Sequence, residues 1–328
     1  MNLEIWKRAR PSSTFNFAGA SIGNLFLTGA RLFSGSFESA IYLLSSICNV
    51  PPHTHVLPAI NTNHSYHISA SLTNGAIIVG QNSISHPSEP TSLTDIAFTD
   101  SREVEEHDNI EDANLPGSLP TLRKGYTAFS KDHEEDLPAR IQRIWYINPY
   151  GQEIRPPANP KVVAALEDAR AVVYSIGSLY TSLIPSLILR GVGTSLASSS
   201  IRHKILILNS SVDRETGPSS EPYTATDFVA AIAYAASTSR YPVPVEVQKP
   251  PEKHEYKAFV THVIHLDGPR TPRVDREELA RMGIESMRVY GTRQGNKLVY
   301  DERALLQAVE AVIGRREVGV SRRNTIEG

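Results

Sequence analysis

The chain has 328 residues, 40% of them hydrophobic and 21% charged, which is enough apolar material for a sizeable core. Thirty-three Lys and Arg against 35 Asp and Glu leave a net charge of -2, so no electrostatic case for a nucleic-acid partner exists. A single cysteine, Cys48, excludes an internal disulfide framework and a cysteine-based zinc cage.

No run approaches the roughly 20 apolar residues of a membrane span, and Met1 to Arg10 lack the apolar centre of a signal peptide. A cytoplasmic protein with no membrane partner is the expectation. Phe15 to Phe17 form a short apolar stub, followed by Gly19-Ala20-Ser21-Ile22-Gly23-Asn24. Apolar residues recur through Leu27, Ala30 and Phe33 and predict a helix from near Asn24. Phe37, Ile41, Leu44 and Cys48 predict a second, with Cys48 a buried thiol on its apolar face. The first glycine turn matches the Gly-x-Ser-x-Gly nucleophile elbow. That fold, however, places several strands and an oxyanion loop before the elbow, and barely twenty residues precede Ser21. A close-approach turn with Asn24 as a side-chain donor is the better reading.

Strand-like stretches follow at His55 to Ile60, Tyr66 to Leu72 and Ala76 to Gly80. Thr73-Asn74-Gly75 between the last two is a hairpin signal, so an antiparallel excursion is expected here. His53, His55, His64 and His67 have metal-like spacings but no acidic residue among them, and surface or hairpin histidines are expected. Residues 83–139 change character: Asp100 to Asp112 carries seven acids against Arg102 alone. Such a segment buries too little surface to offset the entropy of ordering it and reads as a flexible insertion within one domain spanning 1–328. Deleting Ser88 to Asp136 is therefore expected to leave unfolding nearly unchanged.

Strand-like sequence resumes at Ile141 to Ile147, and an α/β rhythm follows. Asn159-Pro160 predicts a capped helix through Asp168, Ala171 to Tyr174 a buried strand, and Gly177-Ser178 a turn into a helix near Thr181. Lys204 to Leu208 is a buried strand, Thr226 to Ala236 a helix, and Ala258 to Leu266 strand-like. Asp301 caps a last helix through Ile313, ahead of a polar tail from about 315. Alternating strands and helices predict an α/β, Rossmann-like, mostly parallel doubly wound sheet.

The strongest chemical signal is Val172-Val173-Tyr174-Ser175-Ile176-Gly177-Ser178-Leu179-Tyr180-Thr181-Ser182. A buried strand enters a small-residue turn and then a helix whose first N–H groups point outward, an arrangement that binds phosphate. Hydroxyls of Ser178, Tyr180, Thr181 and Ser182 supplement those donors, while an ordinary strand-to-helix turn is the plain alternative. After the Lys204 to Leu208 strand, Asn209 to Asp227 emerges at the carboxyl edge of a parallel sheet, where ligands bind in such folds. Asp213 and Asp227 are candidates to hold a divalent cation against a pyrophosphate. Capping is the rival role: Thr224 or Thr226 at the N-cap, with Asp227 in the first turn.

Taken together, Gly23-Asn24-Leu25 opening a helix, Ala169 to Val173 leading into Gly177-Ser178-Leu179-Tyr180-Thr181-Ser182-Leu183-Ile184-Pro185, Asn209, Glu215-Thr216 and Tyr223 to Asp227 resemble the CofD/YvcK family. The resemblance runs from about Phe15 to Leu266. It implies a Rossmann-like fold binding a nucleotide-diphosphate ligand, with Mg²⁺ where the reaction is phospholactyl transfer to a deazaflavin. Its leading implication is a UDP-sugar binder that regulates central carbon metabolism, with the transferase as the alternative and a non-binding, truncated remnant of the fold as a further one. Ligand- and phosphate-binding roles carry over to Gly23, Asn24, Gly177, Ser178, Leu179, Tyr180, Thr181, Ser182, Asn209, Glu215, Thr216 and Tyr223, with no catalytic residue assigned. The family's opening strand and Gly-Gly-Thr-Gly-like loop are expected ahead of the Phe15 stub, and without them strands such as Ala171 to Tyr174 present an open edge. A homo-oligomer is also open.

Overall fold

The computed structural model describes residues 21–62, 66–85, 119, 136–241, 249–295 and 297–314. Helices α1 (Ile22–Ser34) and α2 (Phe37–Ile47) form a hairpin, each opened by a serine, Ser21 or Ser36, whose side chain accepts from a first-turn N–H. Ser21 is thus a helix cap, which disposes of the nucleophile reading. Cys48 is exposed, correcting the expected buried thiol. It is the C-cap of α2, where the apolar periodicity has run out of helix.

His55 to Ile60 is irregular rather than extended, and Pro58 explains part of this by removing a donor. The carbonyls of Pro58 and Ala59 accept instead from Asn159, through its side chain at 3.1 Å and its backbone at 2.8 Å. Strands β1 (His67–Leu72) and β2 (Ile77–Val79) pair antiparallel around the predicted turn, with Gly75 at φ +87. After the short helix α3 (Gln81–Ser85), β3 (Ile141–Ile147) pairs along β1, and β4 (Glu153–Ile154) adds to β3. The excursion is therefore a four-stranded sheet of order β2-β1-β3-β4. β3 is central because both its faces are apolar: Ile144 and Tyr146 join the main core, while Trp145 and Ile147 join a smaller cluster on the other side.

That smaller cluster includes Leu119, which is buried against it and donates its N–H to Pro149 O at 2.9 Å. Asp136 likewise accepts from the backbone and hydroxyl of Ser219. Leu119 and Asp136 are thus two residues of the 83–139 stretch that are tied to the folded body. Each makes long-range contacts that a composition count does not register. The acidic run itself lies outside the described residues.

The second half is the α/β unit. Helix α4 (Pro160–Glu167), capped by Asn159, leads into β5 (Ala171–Tyr174). A π-helical turn (Leu179–Leu183) continues into α5 (Ile184–Leu187), then α6 (Val192–Leu196) and β6 (His203–Ile207). Helix α7 (Ala225–Ser239), β7 (His262–His265), α8 (Arg276–Arg281), β8 (Glu285–Arg288), the hairpin β9 (Gly291–Gln294) and β10 (Lys297–Tyr300), and α9 (Glu302–Ile313) complete it. Strands β5-β6-β7-β8 form a wholly parallel sheet in sequence order. One face, through Leu206 and Val263, packs into the main core with α7; the other, through Ile205, Ile207 and Ile264, packs on α9. Helices on both faces make the sheet doubly wound, as the alternation predicts. β5 is an edge strand among the described residues, with Val173 and Ile176 exposed. No described helix is long and apolar enough to cross a membrane.

Candidate functional site

β5 delivers the chain to the carboxyl edge of the parallel sheet. Its last residue, Tyr174, is buried and anchored by its hydroxyl on Phe259 O at 2.8 Å. Ser175 to Ser178 then form an accessible turn. A Cβ on Gly177 would lie 2.8 Å from the Ser182 Cβ, so only glycine fits against the helical turn that follows. The Asn209 amide, at the end of the neighbouring strand, donates to Gly177 O at 3.2 Å and fixes the turn from the side.

The helical turn behind it is held by Glu215. Its Oε2 accepts from the N–H groups of Tyr180 and Thr181 at 2.9 and 3.0 Å, and its Oε1 accepts from the Thr181 hydroxyl. Two donors assigned to a ligand are thus satisfied by a side chain of the protein. Burial of Glu215 raises its pKa to about 7, against the opposing pull of those donors. Leu179 is fully buried and anchors the turn rather than facing a ligand. The Tyr180 hydroxyl also points inward, to Ile141 O at 3.2 Å and to the Tyr223 hydroxyl at 3.0 Å; Tyr223 in turn reaches Ile141 O at 2.9 Å. Both tyrosines are core residues whose polar ends meet a strand carbonyl.

What remains open to a ligand is the outer part of the turn. Among the described residues nothing accepts from the N–H groups of Ile176 and Ser178, and Ser178 makes no side-chain cap. Ser182 is exposed one helical turn further on. Gly23 and Asn24 open α1, where the Asn24 N–H is capped by Ser21 at 3.4 Å; no hydrogen bond joins them to the Gly177 turn.

The two candidate metal carboxylates are caps. Asp213 Oδ1 accepts from the N–H groups of Glu215 and Thr216 and from the Thr216 hydroxyl, while Thr216 Oγ1 accepts from Asp213 N. Asp227 forms a capping box with Thr224, as the alternative reading held, and pairs with Arg140 at 3.0 Å. Burial works against the Asp227 carboxylate, but the Thr224 donors and Arg140 outweigh it and hold the pKa below the ordinary range. Among the described residues no group of three or more His, Cys, Asp and Glu side chains is placed to hold a metal. Arg140 was not singled out from the sequence. Its guanidinium stacks 4.3 Å over the Tyr223 ring and pairs with an acid 87 residues away, a relation with no local signature.

A family model described as 2-phospho-L-lactate transferase CofD matches residues 8–290. The chain belongs to the CofD family. This CofD-family chain is 38% identical over 284 residues to the Saccharomyces cerevisiae protein YNL011C, covering 81% of this chain and 64% of that protein. It is 26% identical over 215 residues to a gluconeogenesis factor of Halalkalibacterium halodurans, covering 66% of this chain and 47% of the relative. It therefore spans less than two thirds of the length of these curated relatives. Its fold resembles the crystal structure of protein BH3568 from Bacillus halodurans, described as a member of the UPF0052 family. The TM-score is 0.59 at 19% identity, with 94% of this chain and 78% of that one covered.

Proposed function

We propose that the chain binds a nucleotide-diphosphate ligand of the UDP-sugar type at the carboxyl edge of its parallel sheet, in the cytoplasm, and serves in the regulation of carbon metabolism. The observation that carries this reading is the outer face of the Gly177 turn. There the Ile176 and Ser178 N–H groups have no acceptor among the described residues, beside a glycine that admits close approach. The gluconeogenesis-factor name of the Halalkalibacterium relative supports the regulatory role. Ser178 and Ser182 would add hydroxyl donors, and Asn209 would hold the turn in place. Mg²⁺ would be carried by the diphosphate oxygens, with Asp213 Oδ2 as the carboxylate oxygen left to approach it, since Asp213 Oδ1 serves its cap and Asp227 is taken up by Thr224 and Arg140.

A second reading, transfer of a phospholactyl-type group from a nucleotide-diphosphate donor, is favoured by the description of the matching family model. Calorimetric titration with UDP-sugars and guanosine nucleotides, with and without Mg²⁺, tests both. Saturable binding without turnover supports regulation, and consumption of the donor supports transfer. If no nucleotide binds, or if Gly177→Val binds as tightly as the parent, the site assignment fails.

A further inference from the structure

Helix α1 has a polar side and, opposite it, an apolar one that faces water. Asn24, Thr28 and Arg31, spaced four and three apart, form the polar side. Ile22, Phe26, Gly29 and Phe33, spaced four, three and four apart, form the other, and none of them is charged. Ile22 is 86% exposed and Phe33 92%, the two most exposed large apolar side chains among the described residues. Between them Phe26 is half-buried, and a Cβ added to Gly29 would meet nothing within 4 Å. The line therefore reads as an apolar end, a ring, a gap and a second apolar end. Leu32, and Leu43 and Ile47 of α2, are exposed as well. The hairpin is fastened to the rest of the protein by Lys161 of α4, which donates to Glu38 at 2.7 Å and to the Tyr42 hydroxyl at 2.9 Å.

Apolar surface gathered on one face marks an interaction site, and the order of these residues says which partner fits. The four-three-four spacing is that of a coiled-coil seam. The seam is also symmetric about the midpoint between Leu27 and Thr28. An antiparallel pairing of α1 with a second copy sets Phe26 opposite Gly29 of that copy and Ile22 opposite its Phe33. Each contact then occurs twice, as a two-fold interface requires, and a ring meets a gap. A stable interface takes about 800 Å² from each partner, and Leu32, Leu43 and Ile47 widen the contact beyond the seam toward that area. A charged partner finds no complement here. The two helices carry one base, Arg31, on the far side of α1, and one acid, Glu38, which is paired with Lys161.

We propose that this face is a homodimer interface in which two copies of α1 pack antiparallel about a two-fold axis, Phe26 of each filling the gap at Gly29 of the other. None of the four seam residues belongs to the Gly177 turn, so the interface stands apart from the nucleotide reading.

Sedimentation velocity on the full chain over a range of concentrations tests it, and a monomer–dimer equilibrium is expected. Phe33→Glu and Ile22→Lys each bury a charge against an apolar partner and should weaken the dimer at least about tenfold. Both positions face solvent in the single chain, so neither change threatens the fold. Combined, they set opposite charges across an antiparallel seam and should recover most of the loss, whereas in a parallel pairing like charges would meet. Gly29→Leu extends into open space within one chain and improves helix propensity, so melting by circular dichroism should stay cooperative. It nonetheless fills the gap and should weaken the dimer at least about tenfold, although unspecific apolar association would be strengthened by it. A monomeric parent, tighter association of Gly29→Leu, or a double variant weaker than both single ones would overturn the proposal.

Discussion

Glu215 holds Thr181 at two points, taking its backbone N–H on Oε2 at 3.0 Å and its hydroxyl on Oε1. The carboxylate arises in the loop after β6 and closes on the turn after β5, so it braces the carboxyl ends of two adjacent parallel strands. The cost of that brace is a buried charge.

This cost makes stability pH-dependent in a stated direction. Burial lifts the Glu215 pKa from 4.5 to about 7, so between those values the folded state binds more protons than the unfolded chain. The stabilisation is fully present below about pH 4.5 and is lost as pH rises through about 7. Between pH 5 and 8 this one group should lower stability by about 2–3 kcal/mol. Glu215→Gln, which keeps an acceptor oxygen for the two N–H groups, should lack that increment. Urea unfolding of both proteins at the two pH values measures it, and parallel slopes would contradict the assignment.

At the Gly177 turn, the obstacle to a side chain is Ser182, whose Cβ and Oγ would lie 2.8 and 3.3 Å away. Gly177→Ala should destabilise by about 1–3 kcal/mol through overpacking. Adding Ser182→Gly removes both obstructing atoms and should recover most of the loss. Thermal unfolding of the single and double variants checks this, and additive losses would show that the strain lies elsewhere.

Helices α6 and α7 approach so closely at Gly193 that an added Cβ would fall 1.7 Å from Ala236 O and 2.5 Å from Ser239 Oγ. The obstructing atom is backbone carbonyl, which a rotamer change cannot move. The Gly193 N–H also donates to Ser239 Oγ at 2.9 Å. Gly193→Ala should cost upwards of about 3 kcal/mol, beyond the usual penalty for overpacking, and should abolish cooperative melting by circular dichroism in a marginally stable chain.

Leu119 gives the insertion a structural contact. It lies buried against Val79, Trp145 and Ile147, and a Cβ on Gly151 would meet its Cδ1 at 2.8 Å. Leu119→Ala should lower stability by about 2–5 kcal/mol, the range for a buried leucine. An unfolding midpoint equal to that of the parent would show that this contact does not stabilise the fold.

Local features of this fold were legible from the residues alone. β5 occupies the four residues its apolar run marked, Asn159 caps the helix begun by Pro160, and Asp301 caps the last. Thr224 and Asp227 form the reciprocal cap their spacing allows. Each of these depends on side chains and backbone groups within about one helical turn, so sequence spacing specifies the geometry. The family blocks around Gly177 and Glu215 were legible for the same reason: their residue order is itself the signal.

Tertiary structure alone decided which of those residues remain available to a ligand. Tyr180 and Thr181 give their N–H groups to a carboxylate more than thirty residues later, and Asp227 gives its charge to an arginine 87 residues earlier. The hairpin of β9 and β10 and the burial of Leu119 were likewise not read from the sequence, although Gly295 at φ +63 marks the hairpin turn. A buried donor takes whichever acceptor packing brings within 3 Å, and unpaired it would cost about 1–3 kcal/mol. Packing joins segments remote in sequence, so the residue types that could bind a phosphate are written in the chain, whereas the donors left free to do so are fixed only when the two sheets and their helices close.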